Sequence, residues 1–107
     1  MFYVYMIRCE DNSLYTGYTN DIQKRMIEHF SKGQRGAKYT KSHTPVSLEA
    51  IWSCESKSSA MKMEYHLKRM TKKEKEVLIN DNVASAFIVE KLLDIKIERI
   101  DTSEVVI

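Results

Sequence analysis

Side chains suited to proton transfer and anion binding recur at short intervals in the first third of the chain, and one carboxylate lies further on. The set contains two tyrosines, an arginine, a histidine and a glutamate: Tyr5, Tyr15, Arg25, His29 and Glu64. Phenol and imidazole groups can transfer protons, a guanidinium binds oxyanions through its planar fork, and a carboxylate can bind a cation. We therefore expect an active site formed by a hairpin and the following helix, to which Glu64 contributes a carboxylate.

Two stretches rich in aromatic and β-branched residues, Phe2–Cys9 and Leu14–Tyr18, flank a cluster of turn residues and predict a β-hairpin. A three-residue loop with Asn12 in the left-handed conformation fixes the register of the two strands. That register gives three pairs: Cys9 with Ser13, Ile7 with Tyr15 and Tyr5 with Gly17.

The loop length decides whether the two tyrosines can act together. A three-residue loop places Tyr5 and Tyr15 on one face of the hairpin, whereas a four-residue loop places them on opposite faces. Gly17, opposite Tyr5, is expected to be a structural glycine that leaves open space beside the phenol.

Asn20 followed by Gln23 predicts the N-terminus of a helix with a capping box. Its apolar stripe and its end are formed by Ile22, Met26, Phe30 and Gly33. Arg25 and His29 lie four residues apart on the flank of the stripe, facing the sheet edge. Two ordinary alternatives remain, a surface pair of Arg25 with Glu28 and a buried boundary histidine.

Alternation from Val46 to Cys54 predicts a third strand with one buried face. The next helix is capped within Ser56–Ser59 and has a stripe of Ala60, Met63, Leu67 and Met70. Glu64 falls about 40° from Ala60 on a helical wheel, beside the stripe. The ordinary alternative for Glu64 is an i,i+4 ion pair with Lys68.

A second capping box, Thr71 to Glu74, predicts a short helix that ends near Asn80.

The two cysteines, Cys9 and Cys54, lack metal-site or redox spacing and are expected to be buried thiols.

The charge is unevenly distributed along the chain. Residues 1–80 contain 14 Lys/Arg against 9 Asp/Glu, and residues 81–107 contain 3 against 6. The densest basic stretch, Lys24–Lys41, predicts a surface that binds the phosphate backbone of a nucleic acid. The alternative is a solvated basic face that has no partner. The expected nucleic-acid-binding residues are Lys24, Lys32, Arg35, Lys38, Tyr39 and Lys41.

The chain has two tyrosine-bearing triads about ten residues apart, Tyr3–Tyr5 and Tyr15–Gly17, followed by an arginine, a histidine and a distant glutamate. This pattern resembles the GIY-YIG nuclease family. The chain is most similar to its small stand-alone bacterial members, through Leu14–Gly17 and the Lys-rich helices after Glu64. The resemblance covers roughly residues 2–80. It departs from the family pattern where Tyr3 replaces a glycine and where Val4 and Thr16 replace isoleucines.

The resemblance implies an α+β fold, a small three-stranded antiparallel sheet flanked by helices, and metal-dependent hydrolysis of DNA phosphodiester bonds. Glu64 would hold one divalent metal, Mg²⁺ or Mn²⁺, and Arg25 would brace the scissile phosphate. Tyr5 would act as general base or position the water, supported by Tyr15. His29 would serve as a proton relay, the least defined of these roles.

Residues 1–80 are expected to form the nuclease domain, and residues 81–107 a C-terminal extension packed on it. The extension contains a plausible helix near Val83–Leu93 and an alternating stretch, Ile95–Asp101, that is a strand or a loop. It could cap the core, mediate contact with a protein partner or a second copy, or fold against the basic groove. With neither a membrane span nor a signal peptide, we expect a soluble cytoplasmic protein.

Three functions remain open at this point. The first is a structure-selective DNA endonuclease, in a setting such as repair or recombination; its base specificity is expected to be low because no sequence-reading element is found. The second is a nucleic-acid-binding module without catalysis, and the third is a protein-interaction domain that uses the basic face and the tail. Salt-sensitive DNA binding separates the first two from the third.

Overall fold

The computed structural model of the protein describes residues 1–31, 43–80, 90–91 and 93–106. The elements are β1 (Phe2–Cys9), β2 (Leu14–Thr19), α1 (Ile22–Phe30), β3 (Pro45–Cys54), α2 (Lys57–Lys68), α3 (Lys72–Asn80), β4 (Ile97–Ile100) and a 3₁₀ turn (Thr102–Glu104). The strands form one antiparallel sheet in the order β2-β1-β3-β4. None of the helices in these ranges has the length and apolarity that crossing a membrane requires.

The α+β class is confirmed, but the sheet has four strands rather than the expected three. The fourth strand comes from the C-terminal extension, whose alternating stretch pairs with β3. Most of the predicted helix near Val83–Leu93 lies outside the described residues, as does Gly33.

The hairpin has the predicted three-residue loop and register. The backbone N–H of Cys9 donates to the carbonyl of Ser13 over 3.0 Å, and Asn12 has a φ of 67°. The Asp11 carboxylate accepts hydrogen bonds from the N–H and the hydroxyl of Ser13, which holds the turn in shape. Tyr5 therefore pairs with Gly17 and Ile7 with Tyr15, as predicted.

The sheet is covered on both faces by apolar side chains. On one face, called the α2 face, Val4 and Met6 pack with Trp52 against α2, through Ala60, Met63 and Leu67. On the other, called the α1 face, Tyr5 and Ile7 pack with Ile51 and with Met26 of α1. Consecutive residues of a strand point to opposite faces, so β1 alone divides the core into two.

Strand β3 does not alternate regularly, which makes the single-face prediction wrong. Ile7 pairs with Leu48 and Met6 with Ala50, so Glu49 is an extra residue at a bulge. As a result Leu48 packs on the α1 face and Ala50 on the α2 face. Val46 is exposed.

Helix α1 is capped by Asp21 rather than by Asn20. The Asp21 carboxylate accepts a hydrogen bond from the backbone N–H of Lys24 over 3.1 Å. Gln23 is not the partner in a capping box, because its side-chain amide binds the backbone N–H and carbonyl of Val106. The Thr71–Glu74 capping box, by contrast, is present at the start of α3.

The end of the chain closes the α1 face. After β4 the chain passes through the 3₁₀ turn, and Val105 is buried in the cluster that contains Tyr5 and Met26. The Gln23 amide then ties the backbone of Val106 to α1. The described residues of the C-terminal extension therefore cap the core, which is the first of the three roles considered for it.

Arg8 joins β1, the bulge and α3. Its guanidinium binds both carboxylate oxygens of Glu76, and its Nε lies 2.9 Å from Oε1 of Glu49. We expect Arg8→Ala to lower the free energy of unfolding by about 2 kcal/mol, because two partly buried carboxylates lose their common cation. Urea unfolding measures this effect, with the exposed Lys96→Ala as the control for loss of charge. A loss no larger than that of the control would contradict this role of Arg8.

Candidate active site

Tyr5, Tyr15 and His29 form a triangle of rings on the α1 face. The hairpin register places both tyrosines on this face, and α1 brings His29 over them. The ring centroids of His29 lie 5.5 Å from those of Tyr5 and Tyr15, and the two phenol rings are 6.2 Å apart. Tyr5 is 1% exposed, and its Oη lies 2.8 Å from Nε2 of His29.

His29 is held in its neutral form at pH 7. Burial of the ring, followed by the nearby charge of Arg25, lowers the pKa of His29 to about 4, although Glu28 opposes this shift. A neutral imidazole has one nitrogen that accepts a hydrogen bond. Nε2 of His29 can therefore accept the proton of the Tyr5 hydroxyl.

The lowered pKa of His29 predicts a loss of stability in acid. Between pH 6.5 and about 4 the unfolded chain binds a proton at His29 that the folded protein does not, so folding weakens as the pH falls. We expect wild type to lose about 2 kcal/mol more between pH 7 and pH 5 than His29→Gln, which cannot titrate. Urea unfolding at the two pH values measures the difference. Equal losses in the two proteins would show that His29 does not cause the effect.

Arg25 contacts the same phenol. Hydrogen bonding to Arg25 lowers the pKa of Tyr5, but burial of the phenol is the larger effect and raises that pKa above its ordinary value. A guanidinium can only donate hydrogen bonds, so Arg25 donates to the Tyr5 oxygen. The predicted Glu28 pair is also present, with Nη1 of Arg25 3.1 Å from Oε1 of Glu28.

Gly17 provides the room for the Tyr5 side chain. A Cβ atom at Gly17 would lie 2.6 Å from Oη and 2.8 Å from Cζ of Tyr5, and 3.1 Å from Cε2 of Tyr15. The expectation of open space is therefore wrong, because the phenol itself crosses over this residue. Gly17 lies within β2 and has no positive φ, so its role is steric.

Glu64 is not part of the ring cluster. It belongs to α2, which packs on the opposite face of the sheet from Tyr5. Within the described ranges, Lys68 is the ion-pair partner of Glu64, at 3.7 Å, which is the ordinary alternative that the sequence suggested. The Glu64 side chain is 20% exposed.

The residues that the structure describes offer a divalent cation few ligands. Among the described residues no three His, Cys, Asp or Glu side chains lie close enough to share a metal ion. Mg²⁺ can bind through one protein carboxylate, several waters and substrate phosphate oxygens. Glu64 fits that mode of binding, and it does not fit a site made of protein ligands alone.

The predicted nucleic-acid-binding residues are only partly described. Lys24 is exposed on α1, near Arg25 in the chain. The other predicted residues lie outside the described part of the chain: Lys32, Arg35, Lys38, Tyr39 and Lys41.

Sequence reasoning missed Val105, which packs in the cluster that contains Tyr5 although it lies over 70 residues beyond α1. Two adjacent valines near the end of a sequence do not indicate which part of the core they contact.

Comparison with known proteins places the chain among small homologous proteins. It is 43% identical over 99 residues to the UPF0213 protein FN1575 of Fusobacterium nucleatum, an alignment that covers 92% of this chain and 97% of that protein. It is 47% identical over 78 residues to the UPF0213 protein VNG_2274C of Halobacterium salinarum, which covers 73% of this chain and 99% of that protein.

A solved structure and a family model also match. The solution NMR structure of the UPF0213 protein BH0048 from Bacillus halodurans is 43% identical, with a TM-score of 0.49, over 75% of this chain and 84% of that one. The family model described as the GIY-YIG catalytic domain matches residues 1–77 of the chain. The protein therefore belongs to the GIY-YIG family, whose members are generally nucleases.

Proposed function

We propose that this protein is a divalent-metal-dependent endonuclease that hydrolyses DNA phosphodiester bonds. The observation that carries the proposal is the buried contact of Tyr5 with His29, to which Arg25 and Tyr15 are joined. Burying a phenol and an imidazole against each other is costly unless they are paired. In a family of nucleases, such a pair beside a guanidinium is suited to moving a proton next to a phosphate.

Tyr5 and His29 would act together as a proton relay. The raised pKa of Tyr5 means that the phenol is neutral at pH 7 and cannot take a proton unless it gives one up. As water attacks phosphorus and the bond from phosphorus to the leaving oxygen breaks, a water proton would pass to the Tyr5 oxygen while the Tyr5 proton passes to Nε2 of His29. The leaving oxygen would take its proton from solvent. Arg25 would direct this transfer, because its donated hydrogen bond leaves the Tyr5 proton facing His29.

Arg25 would also hold the substrate phosphate. Its side chain is 26% exposed, so part of the guanidinium remains accessible while the rest contacts Glu28 and Tyr5. A guanidinium fork matches two phosphate oxygens and stabilises the charge that develops as they are attacked. Tyr15, beside both rings, would fix the orientation of the Tyr5 phenol.

Glu64 would supply the protein ligand for Mg²⁺ or Mn²⁺. When bound, such an ion supplies positive charge to the phosphate and the leaving oxygen. Lys68, which neutralises Glu64 in the free protein, can turn to a phosphate when substrate binds, since its side chain is 52% exposed. Because α2 lies on the other face, the proposal requires the substrate to span the β2 edge of the sheet.

The substrate would be chosen by its structure and not by its sequence. Phosphate contacts give affinity without base specificity, and Lys24 with the basic residues 32–41 would provide them. The protein would act in a soluble, cytoplasmic setting such as DNA repair or recombination. Residues 1–80 would form the catalytic unit, with the extension as its support.

Cleavage of end-labelled single-stranded, duplex, nicked and branched DNA tests the proposal. We expect cleavage of at least one substrate with Mg²⁺ or Mn²⁺ and none with EDTA. The double variant Arg25→Ala/Glu64→Ala controls for a contaminating nuclease and should be inactive while remaining folded. Cleavage that persists in this variant, or its absence on every substrate, would sink the catalytic proposal.

A nucleic-acid-binding module without catalysis is the second candidate. The observation in its favour is that Glu64 is ion-paired with Lys68 and belongs to a helix that packs on the opposite face of the sheet from Tyr5. It predicts DNA affinity that falls with salt and does not rise on adding a divalent metal, which acts only as one more competing cation.

A further inference from the structure

The outward side of α2 presents a continuous exposed surface that the proposed catalytic groups do not explain. With about 100° between successive residues, the exposed residues of this helix occupy a band of about 140°. They are Lys57, Ser58, Met61, Lys62, Tyr65 and Lys68, and the exposed C-cap Arg69 continues the band. The opposite side of the helix carries the core residues Ala60, Met63 and Leu67. We call this band, with Lys72 and Lys73 at the start of α3, the α2 outer surface.

An aromatic ring lies at the centre of the α2 outer surface. Tyr65 is 63% exposed, which is unusual for so large a ring with no core role. Nη1 of Arg69, one turn later, donates to Oη of Tyr65 over 2.7 Å, and the guanidinium carbon lies 5.4 Å from the ring centroid. These contacts hold the exposed ring in position, so the Tyr65 side chain loses little conformational entropy when a ligand binds to it.

The charge around this ring is positive and largely uncompensated. Among the described residues, Lys57, Lys62 and Lys73 have no ion-pair partner. Three of the nearby carboxylates are engaged: Glu64 pairs with Lys68, Glu76 with Arg8 and Lys72, and Glu74 caps the N-terminus of α3. Glu55 lies just before the helix, so the cations Lys57, Lys62, Arg69 and Lys73 still outnumber the unengaged carboxylates. A second copy of the chain would meet this surface with like charge, which disfavours self-association through it.

An aromatic ring surrounded by lysines and arginine fits one kind of ligand better than others. Unpaired bases stack on exposed aromatic rings, and the phosphates between them bind flanking cations. Bases inside a duplex are already stacked on each other and cannot cover the ring. The chemistry of the α2 outer surface therefore favours a single strand.

We propose that the α2 outer surface binds single-stranded DNA, with one base stacked on Tyr65 and phosphates bound by Lys62, Arg69 and Lys73. The choice of DNA rests on the proposed function, whereas the preference for an unpaired strand comes from the surface itself. Glu64 lies at the edge of the band, about 20° from Lys57 on a helical wheel, so a strand held here passes close to the candidate metal ligand. The proposal makes a single-stranded region beside the cleaved bond part of the substrate.

Fluorescence anisotropy with a labelled 20-nucleotide oligothymidylate tests this, using the full-length protein in EDTA so that no cleavage occurs. We expect Tyr65→Ala to weaken binding at least fivefold. Tyr65→Phe keeps the ring but loses the hydrogen bond from Arg69, so it should bind within about twofold of wild type. Lys62→Ala should reduce the slope of log affinity against log salt by about 0.7. Lys96→Ala, an exposed lysine near β4, is the matched control and should leave the slope unchanged.

Each other outcome would overturn the proposal. It fails if Tyr65→Ala binds the oligonucleotide like wild type, if Lys96→Ala has the same effect as Lys62→Ala, or if duplex DNA loses equal affinity in Tyr65→Ala. It also fails if gel filtration shows a dimer that Tyr65→Ala dissociates. The proposed nuclease is judged separately, because binding in EDTA does not require cleavage, and cleavage by Tyr65→Ala at unchanged affinity would refute this surface alone.

Discussion

Tyr5→Phe is expected to reduce the rate of DNA cleavage by about 10²- to 10⁴-fold while leaving the fold intact. The substitution keeps the ring that fills the α1 face but removes the oxygen that contacts His29 and Arg25. A water proton then has no path to Nε2 of His29. Single-turnover cleavage of the best substrate measures the loss directly, because it isolates the chemical step from product release.

The control for Tyr5→Phe is Tyr18→Phe, which removes a phenol oxygen on the α2 face of the neighbouring strand. We expect it to cleave at the wild-type rate. DNA affinity measured in EDTA should be the same for wild type and Tyr5→Phe, since Tyr5 is buried and contributes to the reaction rather than to binding. Cleavage by Tyr5→Phe within threefold of wild type would remove Tyr5 from the mechanism.

The environment of Tyr5 argues for a relay and against a phenolate base. Burial and the neighbouring Tyr15 both raise the pKa of Tyr5, and the hydrogen bond from Arg25 only partly offsets them. The same burial lowers the pKa of His29, which keeps the imidazole free to accept a proton. The two shifts are opposite in direction, share one cause and keep both groups neutral at pH 7, so the phenol cannot act as a phenolate and can take a water proton only by passing its own proton to His29. Because a weakly acidic phenol and a weakly basic imidazole both raise the cost of that transfer, the two proton movements must occur together with the attack on phosphorus.

The parts of the fold that follow from local chemistry could be predicted from the sequence. The turn residues around Asn12 indicate a short loop, and with a three-residue loop strand alternation places Tyr5 and Tyr15 on one face, as the structure has them. The four-residue spacing of Arg25 and His29 places both on one side of a helix. These are relations between near neighbours, which sequence periodicity can carry.

Relations between distant segments could not be predicted in the same way. Gln23 looked like a capping residue, but its amide binds Val106, a partner 83 positions away. The extra residue at the bulge, Glu49, binds Arg8 of β1, which also binds Glu76 of α3. In each case a tertiary contact replaces the local role that the residue type suggests.

The position of Glu64 shows the same limit. A helical wheel correctly places it beside the core stripe of α2, but it cannot tell which face of the sheet the helix covers. The helix packs most closely on β2 and β1, so the carboxylate and the ring cluster are on opposite sides of the same thin layer. Cleavage that needs both Glu64 and the ring cluster therefore requires a substrate that reaches both of them across the β2 edge.

Gly17→Ala is expected to abolish cleavage almost completely, by about 10²-fold or more, and to lower the free energy of unfolding by about 1–3 kcal/mol. The added methyl would lie 2.6 Å from Oη of Tyr5, so the phenol must move away from His29 or the strands must separate. Cleavage assays and urea unfolding measure the two effects. Tyr18→Phe, in the same strand but on the α2 face, is the control for a change of side chain in β2.

A double-mutant cycle with Tyr5→Leu tests the cause of that loss. Leucine lacks the Oη and Cζ atoms that the new methyl would strike, so Gly17→Ala should cost at least about 1 kcal/mol less in the Tyr5→Leu background than in wild type. Additive losses would mean that Gly17 acts through the backbone and not through the phenol. Coupling of the expected sign would show that this glycine is present so that the Tyr5 hydroxyl can reach His29.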